Sequence, residues 1–364
     1  MFSYIEVKPS QIQSELEKLE ETHKQNNQLR ASLFNLIVYA HKGDKLPYFV
    51  DLVDQIVKQF PCRIIFIEEE TKTTDHYLKS KIAAKLVSEG DNPNIVCDKI
   101  YLETSKDNTE QIHHLILQHA IIDLPIYILW GQDPTIENPL LNQIKHMATR
   151  LIFHSECSNN LQELSKKLLS NILTNQWEVA DLNWINLEEL RGVIKATFNS
   201  EESTEDLNKA TDVILKFCGS QSEFFSHNHF QVHYMHAWLA AQLNWQFVDY
   251  KDNTTQKTVT YKSPLEDICV KILEEKCSIE AQAGTVMHCQ IKTRNKKIFT
   301  FFTSSKEDMI HIEILDEKKG NKPYTASVIK PKWAIYLAKE ICYKETSAHY
   351  ANTLKVLAQI NGLI

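Results

Sequence analysis

Apolar residues in the first half of the chain fall in a repeating order of short runs and helical stripes. Residues 33–40 form an apolar run of strand length, and residues 63–67 form a second one. Between them, apolar side chains recur at i, i+3, i+4, i+7, i+8 and i+11, namely at Phe49, Leu52, Val53, Ile56, Val57 and Phe60. Continuous apolar strands joined by an amphipathic helix are typical of a parallel sheet covered on both faces. The pattern therefore predicts a right-handed βαβ unit over residues 33–68.

The same order recurs in the most informative stretch of the chain, residues 115–156. An apolar run lies at 126–130, a helical pattern follows at 141–148, and another apolar run lies at 151–153. The other elements predicted for this half are helices at 9–30, 75–88, 109–119 and 161–172 and a strand at 95–102. Together they predict a Rossmann-like parallel sheet of about five βα units. Its functional edge is expected just after Trp130, because open α/β sheets bind ligands at the carboxyl ends of their strands.

In the second half, apolar and polar residues alternate. Helical stripes are predicted at 207–217 and 229–243 and, near the end of the chain, at 333–342 and 350–360. Alternating runs bounded by polar turns lie at 245–248, 258–261, 285–289, 298–302 and 310–314, while 265–276 is ambiguous between helix and strand. The last of these runs has the period of a half-exposed strand, and the runs together predict an antiparallel sheet.

These patterns set the predicted fold class and the domain boundaries. We expect an α/β protein with a Rossmann-like parallel sheet domain followed by a smaller α+β domain with an antiparallel sheet. The polar, acidic stretch 199–206 marks the change between the two. The predicted division is an N-terminal helical segment at 1–30, the Rossmann-like domain at 31–176, a bridging segment at 177–200 and the α+β domain at 201–364.

Charge and cysteine usage exclude several classes of function. The formal net charge is -7 and the isoelectric point is near 6.1, whereas binding to nucleic acid or to a membrane surface needs a net or clustered positive field. No apolar run reaches the roughly 20 residues that span a bilayer, and the N-terminus has no apolar signal region. The eight cysteines are scattered without a C-x-x-C pair. We therefore expect a cytoplasmic protein with free, buried thiols, no nucleic-acid partner and no membrane partner.

The eight glycines also limit the function, because no two of them lie close together. A dinucleotide-binding loop needs three glycines within one turn so that the backbone can approach a pyrophosphate. A phosphate-binding loop of the G-x-x-x-x-G-K-S/T kind needs two in close range. The sequence therefore predicts a Rossmann-like sheet that binds no nucleotide cofactor through such a loop.

Candidate catalytic and metal-binding residues are few. His229, His233 and His236 share one helix face and are the weak candidates for a metal site, but no carboxylate lies among them, so packing histidines are the preferred interpretation. The acidic triplet 68–70 ends a predicted strand and is interpreted as a solvated strand exit, with metal or sugar binding as the alternative. Asp123 and Asp133 bracket the strand at 126–130 and are expected to hold turns. No catalytic set and no metal site are predicted.

Four sequence motifs resemble the OpcA family, the glucose-6-phosphate dehydrogenase assembly proteins. Residues 30–38 resemble the family's first strand, and residues 119–130 contain its D-L-P-x-x-x-x-W segment. Residues 181–184, D-L-N-W, resemble its bridge, with Arg191 downstream, and residues 237–245 resemble its G-W-L-A-x-x-L-G-W helix. Ala237 and Asn244 stand where the family often has glycine, and the alternating strands of the second domain are hardly comparable.

The resemblance implies a non-enzymatic assembly factor and allosteric activator that binds glucose-6-phosphate dehydrogenase and favours its active oligomer. It brings no catalytic residues and no cofactor. Relatives in photosynthetic bacteria are associated with redox control; this sequence has no close cysteine pair, and a redox role stays open. The residues singled out as partner-binding candidates are Trp130, Gly131, Asp133, Trp184 and Arg191. The alternative is an enzyme of the transferase class that acts on a sugar or a phosphorylated metabolite.

Overall fold

The structure is a computed structural model. It describes residues 3–87, 95–106, 108–174, 177–225, 229–253, 256–277, 283–303, 309–317, 320–327, 337, 340 and 345–363. The chain divides into two compact units, each built from discontinuous segments. Unit 1 contains Met1–Cys157, Asn171–Leu182 and Lys332–Glu345, and unit 2 contains Ser158–Ser170, Asn183–Pro331 and Thr346–Ile364. Each unit has one large sheet, which we call sheet A in unit 1 and sheet B in unit 2.

Sheet A has nine strands. They are β1 (Ile5–Val7), β2 (Leu29–Arg30), β3 (Asn35–His41), β4 (Arg63–Glu70), β5 (Leu78–Val87), β6 (Ile95–Ser105), β7 (Ile126–Trp130), β8 (Arg150–Phe153) and β9 (Val179–Asp181). The helices among them are α1 (Ile12–Gln25), α2 (Leu46–Val57), α3 (Thr109–His119), α4 (Pro139–Ile144) and α5 (Leu161–Leu173). Short 3-10 turns lie at Pro9–Gln11, Lys145–Met147 and Ser155–Cys157.

The strand order confirms the predicted Rossmann-like sheet. Its main path is β1-β5-β6-β4-β3-β7-β8-β9, and β2 pairs with β6. The six parallel strands β3, β4, β6, β7, β8 and β9 therefore lie in the spatial order 3-2-1-4-5-6, counted along the chain. The order reverses between β3 and β7, which places the topological switch point beside Trp130. The apolar stripe of α2 is buried, as its spacing predicts.

One predicted element of this half is wrong. Residues 75–88 were expected to be helical, but Leu78–Val87 is a ten-residue strand that pairs antiparallel with β6. The apolar side chains at Leu78, Ile82 and Leu86 have helical spacing, and a strand formed because β6 offers ten partner residues. The edge strand β1 also pairs antiparallel, with β5. Sheet A is therefore mixed at one edge and parallel elsewhere.

Unit 2 is built on the eight-stranded sheet B. Its strands are β10 (Ala210–Cys218), β11 (Gln246–Asn253), β12 (Gln256–Lys262), β13 (Asp267–Glu275), β14 (Val286–Thr293), β15 (Lys297–Thr303), β16 (Met309–Asp316) and β17 (Gly320–Ser327). Its helices are α6 (Leu182–Ile185), α7 (Glu188–Thr197), α8 (Glu201–Asn208), α9 (Phe230–Gln242) and α10 (Ala348–Leu357). The strand order is β11-β12-β13-β10-β14-β15-β16-β17.

The alternating runs of the second half are strands of this sheet, as predicted, with two differences. The predicted helix at 207–217 is instead the end of α8 and the strand β10, which lies at the centre of the sheet. β10 pairs parallel with β13, whereas the other pairings of sheet B are antiparallel. The ambiguous segment 265–276 contains the strand β13. Most of the predicted helix 333–342 lies outside the described residues.

No helix among the described residues has both the length and the apolar character needed to cross a membrane. The seven cysteines in the described part of the chain are free thiols, as expected, and five of them are buried. Buried cysteines are common in protein interiors because an uncharged thiol behaves as a small apolar side chain.

Candidate functional site

The switch point of sheet A is filled by aromatic side chains of the chain itself. The rings of Tyr39, on β3, and Trp130, on β7, are stacked with centroids 4.0 Å apart. These two residues are cross-strand partners in the parallel register, which places their side chains on the same face. The Gly131 N–H donates to the Tyr39 carbonyl at 2.8 Å and extends the ladder by one residue. The stack therefore lies where a Rossmann sheet usually opens towards a ligand.

Gly131 allows this close packing. A Cβ atom at this position would lie 2.7 Å from Cε2 of Phe49 and 2.8 Å from the carbonyl oxygen of Tyr39. Both distances are shorter than real Cβ atoms show. Side chains from α2, β3 and β7 thus occupy the space between the strand ends. Gly131, Phe49 and Trp130 are part of the packed interior, and the glycine is needed for close approach rather than for a phosphate.

The hydroxyl group of Tyr39 organises the polar part of the site. It donates to Oε2 of Glu69 at 2.8 Å, lies 3.1 Å from Nε2 of His41, and accepts from Nδ2 of Asn138 at 3.2 Å. Burial and the nearby Glu69 carboxylate raise the pKa of Tyr39 well above its usual value. Burial, with the positive charges of Lys45 and Lys106, lowers the pKa of His41. The phenol therefore stays protonated, and the imidazole favours its neutral form.

Each carboxylate of the acidic triplet 68–70 accepts a hydrogen bond from a different tyrosine. Tyr101 donates to Glu68, Tyr39 donates to Glu69, and Tyr77 donates to Oε2 of Glu70 at 2.9 Å. The Nζ of Lys42 also donates to Oε2 of Glu70, at 2.8 Å.

These tyrosines are the part of the site that the sequence analysis missed. Burial and the bond to Glu70 raise the pKa of Tyr77 to about 12. The triplet is neither a bare solvated strand exit nor a set of unoccupied ligands, since each carboxylate has a phenolic donor. No sequence signal pairs a tyrosine with a glutamate 7 to 33 residues away.

On the other side of the switch point, the strand ends are closed and buried. His154 and Cys157 follow β8, and burial lowers the pKa of His154 to about 3 and raises that of Cys157 to about 12. The Ser155 N–H donates to Oδ1 of Asp181, at the end of β9, at 3.1 Å. The His154 ring packs edge-on against Tyr48. Burial therefore favours the neutral forms of the imidazole, thiol and phenol groups at these strand ends.

Four of the five predicted partner-binding residues are buried. Trp130, Asp133 and Trp184 are 1%, 8% and 6% exposed, and Gly131 is buried as well. Trp130, at the end of β7, is therefore an interior residue. Oδ1 of Asp133 accepts from the N–H and the hydroxyl of Thr135, as the turn interpretation predicts. Binding of a partner through these residues stays a prediction, and only Arg191 is half-exposed.

Trp184 and Arg191 form one structural pair in unit 2. The guanidinium carbon of Arg191 lies 3.5 Å from the centroid of the Trp184 ring, and its Nη1 donates to the Trp184 carbonyl at 2.5 Å. The same indole packs against Tyr234 and Tyr350. A cation stacked on a partly buried indole contributes about 1–2 kcal/mol. The D-L-N-W motif thus lies at α6, and its tryptophan contacts side chains of α7, α9 and α10.

The histidines of α9 form a buried hydrogen-bonded chain. Nδ1 of His233 lies 3.0 Å from Nε2 of His236, and Nδ1 of His236 lies 2.7 Å from the hydroxyl of Tyr261. Burial lowers the pKa of His236 to about 3 and holds that of His233 well below its usual value, with His236 and His229 adding to the effect. In the described parts of the chain, no three His, Cys, Asp or Glu side chains are arranged to hold a metal ion. The ring nitrogens bond to each other, which favours the packing interpretation.

Asn35 is a second residue whose role the sequence did not reveal. Its Nδ2 donates to the carbonyl of Ile121 at 3.0 Å, and its Oδ1 accepts from the Ile121 N–H at 2.8 Å. This side chain holds the turn before β7, where Asp123 has a left-handed φ of 68°. The hydrogen bonds that fix the D-L-P turn therefore come from the start of β3.

Comparisons of the fold find likeness to oxidoreductase structures. An NAD binding oxidoreductase from Klebsiella pneumoniae matches with a TM-score of 0.49 and 9% identity, over 91% of this chain and 96% of that one. The transcriptional regulator Gal80p from Kluyveromyces lactis matches with a TM-score of 0.48 and 7% identity, over 93% of each chain.

Comparisons of the sequence are more specific. Proteins called "Putative OxPP cycle protein OpcA" from Synechococcus elongatus and Nostoc punctiforme are each 24% identical, over 202 and 211 residues. These matches cover 55% and 57% of this chain and 43% of each relative, so the matched part is less than half of those proteins. Family models described as the N-terminal and C-terminal domains of a glucose-6-phosphate dehydrogenase subunit match residues 53–169 and 177–351. The chain therefore belongs to the OpcA family of glucose-6-phosphate dehydrogenase assembly proteins.

Proposed function

We propose that this protein binds glucose-6-phosphate dehydrogenase in the cytoplasm and favours its active oligomer without catalysing a reaction itself. The observation that carries the proposal is the match of both family domains, in order, over residues 53–169 and 177–351. Both the Rossmann-like domain and the α+β domain are included, so the relationship covers most of the chain.

The packing of the switch point supports the non-enzymatic part of the proposal. Tyr39 and Trp130 stack at the switch point, and Phe49 fills the space beside Gly131. The loop from β3 to α2 has Gly43 as its single glycine, so it lacks the close backbone approach that a pyrophosphate needs. The chain thus has the layout of a nucleotide-binding sheet without the features that bind the nucleotide.

Activation of an enzyme by such a partner follows from linkage. A protein that binds the active assembly of the dehydrogenase better than the inactive one shifts the equilibrium by the difference in its two binding free energies. Coupling free energies of about 1–3 kcal/mol are typical, and they correspond to roughly 5- to 150-fold changes in an affinity. No catalytic group on the activator is needed for an effect of this size.

The alternative from a different class is an enzyme of the transferase type acting on a sugar or a phosphorylated metabolite. The feature that favours it is the set of tyrosine–glutamate pairs at the end of β4, since phenols and carboxylates bind sugar hydroxyls well. Turnover or tight binding of a sugar phosphate by the protein alone distinguishes this alternative from the assembly factor.

The test follows NADPH formation from glucose 6-phosphate with the cognate dehydrogenase alone, with this protein alone, and with both. This protein alone should give no signal. Both together should give a higher rate, a lower half-saturation concentration for substrate, or a larger dehydrogenase oligomer by light scattering. Because binding linkage is reciprocal, substrate should tighten the complex by the factor by which the complex tightens substrate binding.

A pair of variants on α7 tests whether the D-L-N-W region contacts the partner. Arg191→Ala removes the half-exposed guanidinium, and Lys195→Ala removes an exposed charge from the same helix. Arg191→Ala should lower the melting temperature because it removes the stack on Trp184, so activation is compared at a temperature where both variants are fully folded by circular dichroism. Weaker activation by folded Arg191→Ala alone would assign Arg191 to the contact. If the dehydrogenase neither binds nor responds to the wild-type protein at micromolar concentration, the proposed function is wrong and the enzyme alternative gains.

A further inference from the structure

The two faces of sheet B differ in what covers them. Val213, Leu215, Cys289, Ile291 and Phe301 are buried on one face, where Tyr261 of β12 bonds to His236 of α9. The side chains of the opposite face are mostly half-exposed or exposed, and Thr300 among them is buried. We call this the open face, and define it by Thr258, Thr260, Cys269, Lys271, Leu273, Asp212, Ile214, Lys216, His288, Gln290, Lys292, Ile298, Thr300, Phe302, Met309, His311, Glu313 and Leu315.

The strand register brings these residues into continuous rows across six strands. Ile214, at the centre, lies between Lys271 of β13 and Gln290 of β14, and Gln290 continues to Thr300 and Glu313. The neighbouring row runs from Leu273 through Lys216, His288 and Phe302 to His311. The rings of Phe302 and His311 stack with centroids 5.0 Å apart. The face therefore carries continuous rows of side chains, with apolar side chains among polar ones.

Its size suits a stable association between proteins. The six strands that form it, in spatial order β12, β13, β10, β14, β15 and β16, are seven to nine residues long. With strands about 4.8 Å apart and a rise of about 3.4 Å per residue, the face measures roughly 750 Å². A standard interface buries about 800 Å² on each partner. The open face therefore has the area that a dimer of ordinary stability requires.

Its charge suits a second copy of the same chain. The whole chain has a net charge of -7, but the open face has three lysines and two carboxylates. Asp212 lies opposite Lys292 in the register and 4.0 Å from Lys271, so opposite charges are neighbours within the face. Two identical copies repel each other through their acidic surfaces elsewhere, and they meet with little net repulsion at this face.

The edges of sheet B are poorly suited to association. On the outer strand β11, the register shifts between Phe247 and Asp249, and Lys251 and Asp252 are exposed there. The other outer strand, β17, contains Pro323, which has no N–H to donate. Bulges, charges and prolines on outer strands block the addition of another strand. Association through sheet B is therefore favoured at its face.

From these observations we propose that the open face of sheet B binds the open face of a second copy of this chain, giving a twofold dimer. In such a dimer the same patch serves on both copies, so each substitution appears twice in one interface. A charge placed at the centre of the face is then desolvated against an apolar surface and faces a like charge from the other copy.

The experiment is sedimentation equilibrium of the full chain with three variants. Ile214→Glu puts a charge at the centre of the face, and Gln290→Arg puts one at the neighbouring half-exposed position. The control, Leu265→Glu, changes an exposed leucine in the turn between β12 and β13. The wild type should sediment at twice the 42.2 kDa of one chain at micromolar concentration. Each face variant should raise the dimer dissociation constant at least roughly tenfold, about 1.4 kcal/mol, while the control leaves it unchanged.

Circular dichroism and melting curves establish whether each variant is folded. If Ile214→Glu lowers the melting temperature more than Leu265→Glu does, the dimer dissociation constant of Gln290→Arg is compared with that of the control instead. The proposal is overturned if the wild-type protein sediments as a single chain at about 50 µM, because a standard interface should hold a dimer together at that concentration. It is also overturned if the face variants dimerise as well as the control. If the wild-type protein is a monomer and Ile214→Glu no longer binds the dehydrogenase, the open face is assigned to the dehydrogenase instead. The proposed function then still stands.

Discussion

Sheets A and B are of similar size but leave different surfaces for function. The strands β3 and β7 are buried along nearly their whole length, whereas β14 and β10 alternate between buried and half-exposed residues. Parallel strands covered on both faces bury their side chains, so in β3 and β7 the interior positions are apolar or aromatic. Sheet B is covered on one face and exposes a whole surface.

The difference separates two kinds of site. At the carboxyl edge of sheet A, Tyr39, Trp130 and Phe49 fill the switch point, and the nearby carboxylates are bound by tyrosines. On the open face of sheet B, half-exposed side chains form rows that a flat partner surface can contact. A Rossmann-like strand order is thus compatible with a function carried by surfaces, once the switch point is filled by the chain's own residues.

The largest effect is expected from removing the indole at the switch point. Trp130→Ala should lower the free energy of unfolding by about 3–5 kcal/mol, because it empties a fully buried aromatic position. The matched change on the open face, Leu315→Ala, should cost about 0.5 kcal/mol or less, since Leu315 is 44% exposed. Urea unfolding measures both. An unchanged stability of Trp130→Ala would show that the stack with Tyr39 contributes nothing to folding.

Next in size is the dependence of stability on pH, to which both regions contribute. Burial lowers the pKa of His154, in unit 1, and of His236, in unit 2, to about 3. Below pH 6.5 the unfolded chain binds protons at these positions and the folded chain does not, so stability falls as the pH falls from 6.5 towards 3. Each histidine should contribute a slope of about 1.4 kcal/mol per pH unit in this range.

The histidine prediction is checked by substitution. Between pH 6 and about 4.5, His154→Asn and His236→Asn should each reduce the slope of the unfolding free energy against pH by about 1.4 kcal/mol per pH unit, the contribution of one proton. The slope, rather than the stability at one pH, is the readout, because either change also alters packing. A slope that stays the same in both variants would mean that the two imidazoles titrate alike in the folded and unfolded chain.

Substitutions of two glycines by alanine should change the stability by smaller amounts and in opposite directions. Gly131→Ala should destabilise the protein by about 1–3 kcal/mol, since the new Cβ would clash with Phe49 and with the backbone of β3. Gly192 lies within α7, and a Cβ there meets nothing within 4 Å, so Gly192→Ala should stabilise by about 0.4–1 kcal/mol. Melting temperatures that move in the same direction for both would contradict this account of the switch point.

The smallest expected effect is that of nucleotides. Calorimetry with NAD, NADP and ATP should show no binding tighter than about 1 mM, roughly 4 kcal/mol, because aromatic side chains fill the switch point and the loop after β3 lacks closely spaced glycines. A micromolar dissociation constant for any of the three would show that the Tyr39–Trp130 stack opens, and it would favour the enzyme alternative.

The sequence by itself determined the parts of the fold that depend on local periodicity. Its apolar runs gave the strands β3, β4, β7 and β8, and its alternating runs gave most of sheet B, because burial on two faces and burial on one face leave different patterns. It failed at Leu78–Val87 and at Ala210–Cys218, where short apolar repeats fit either period. Pairing with a neighbouring strand decides such segments, and that partner is distant in the chain.

The candidate site depended more on the tertiary structure. The glycine spacing alone predicted the absence of a nucleotide-binding loop, and the D-L-P-x-x-x-x-W motif alone located the end of β7. Only the packed strands brought Tyr39 onto Trp130, a tyrosine onto each carboxylate of 68–70, and Asn35 onto the turn at Asp123. Only the strand register separated the open face of sheet B from its covered face. These contacts join residues up to about a hundred positions apart, and no local pattern encodes which distant strand end a side chain will meet.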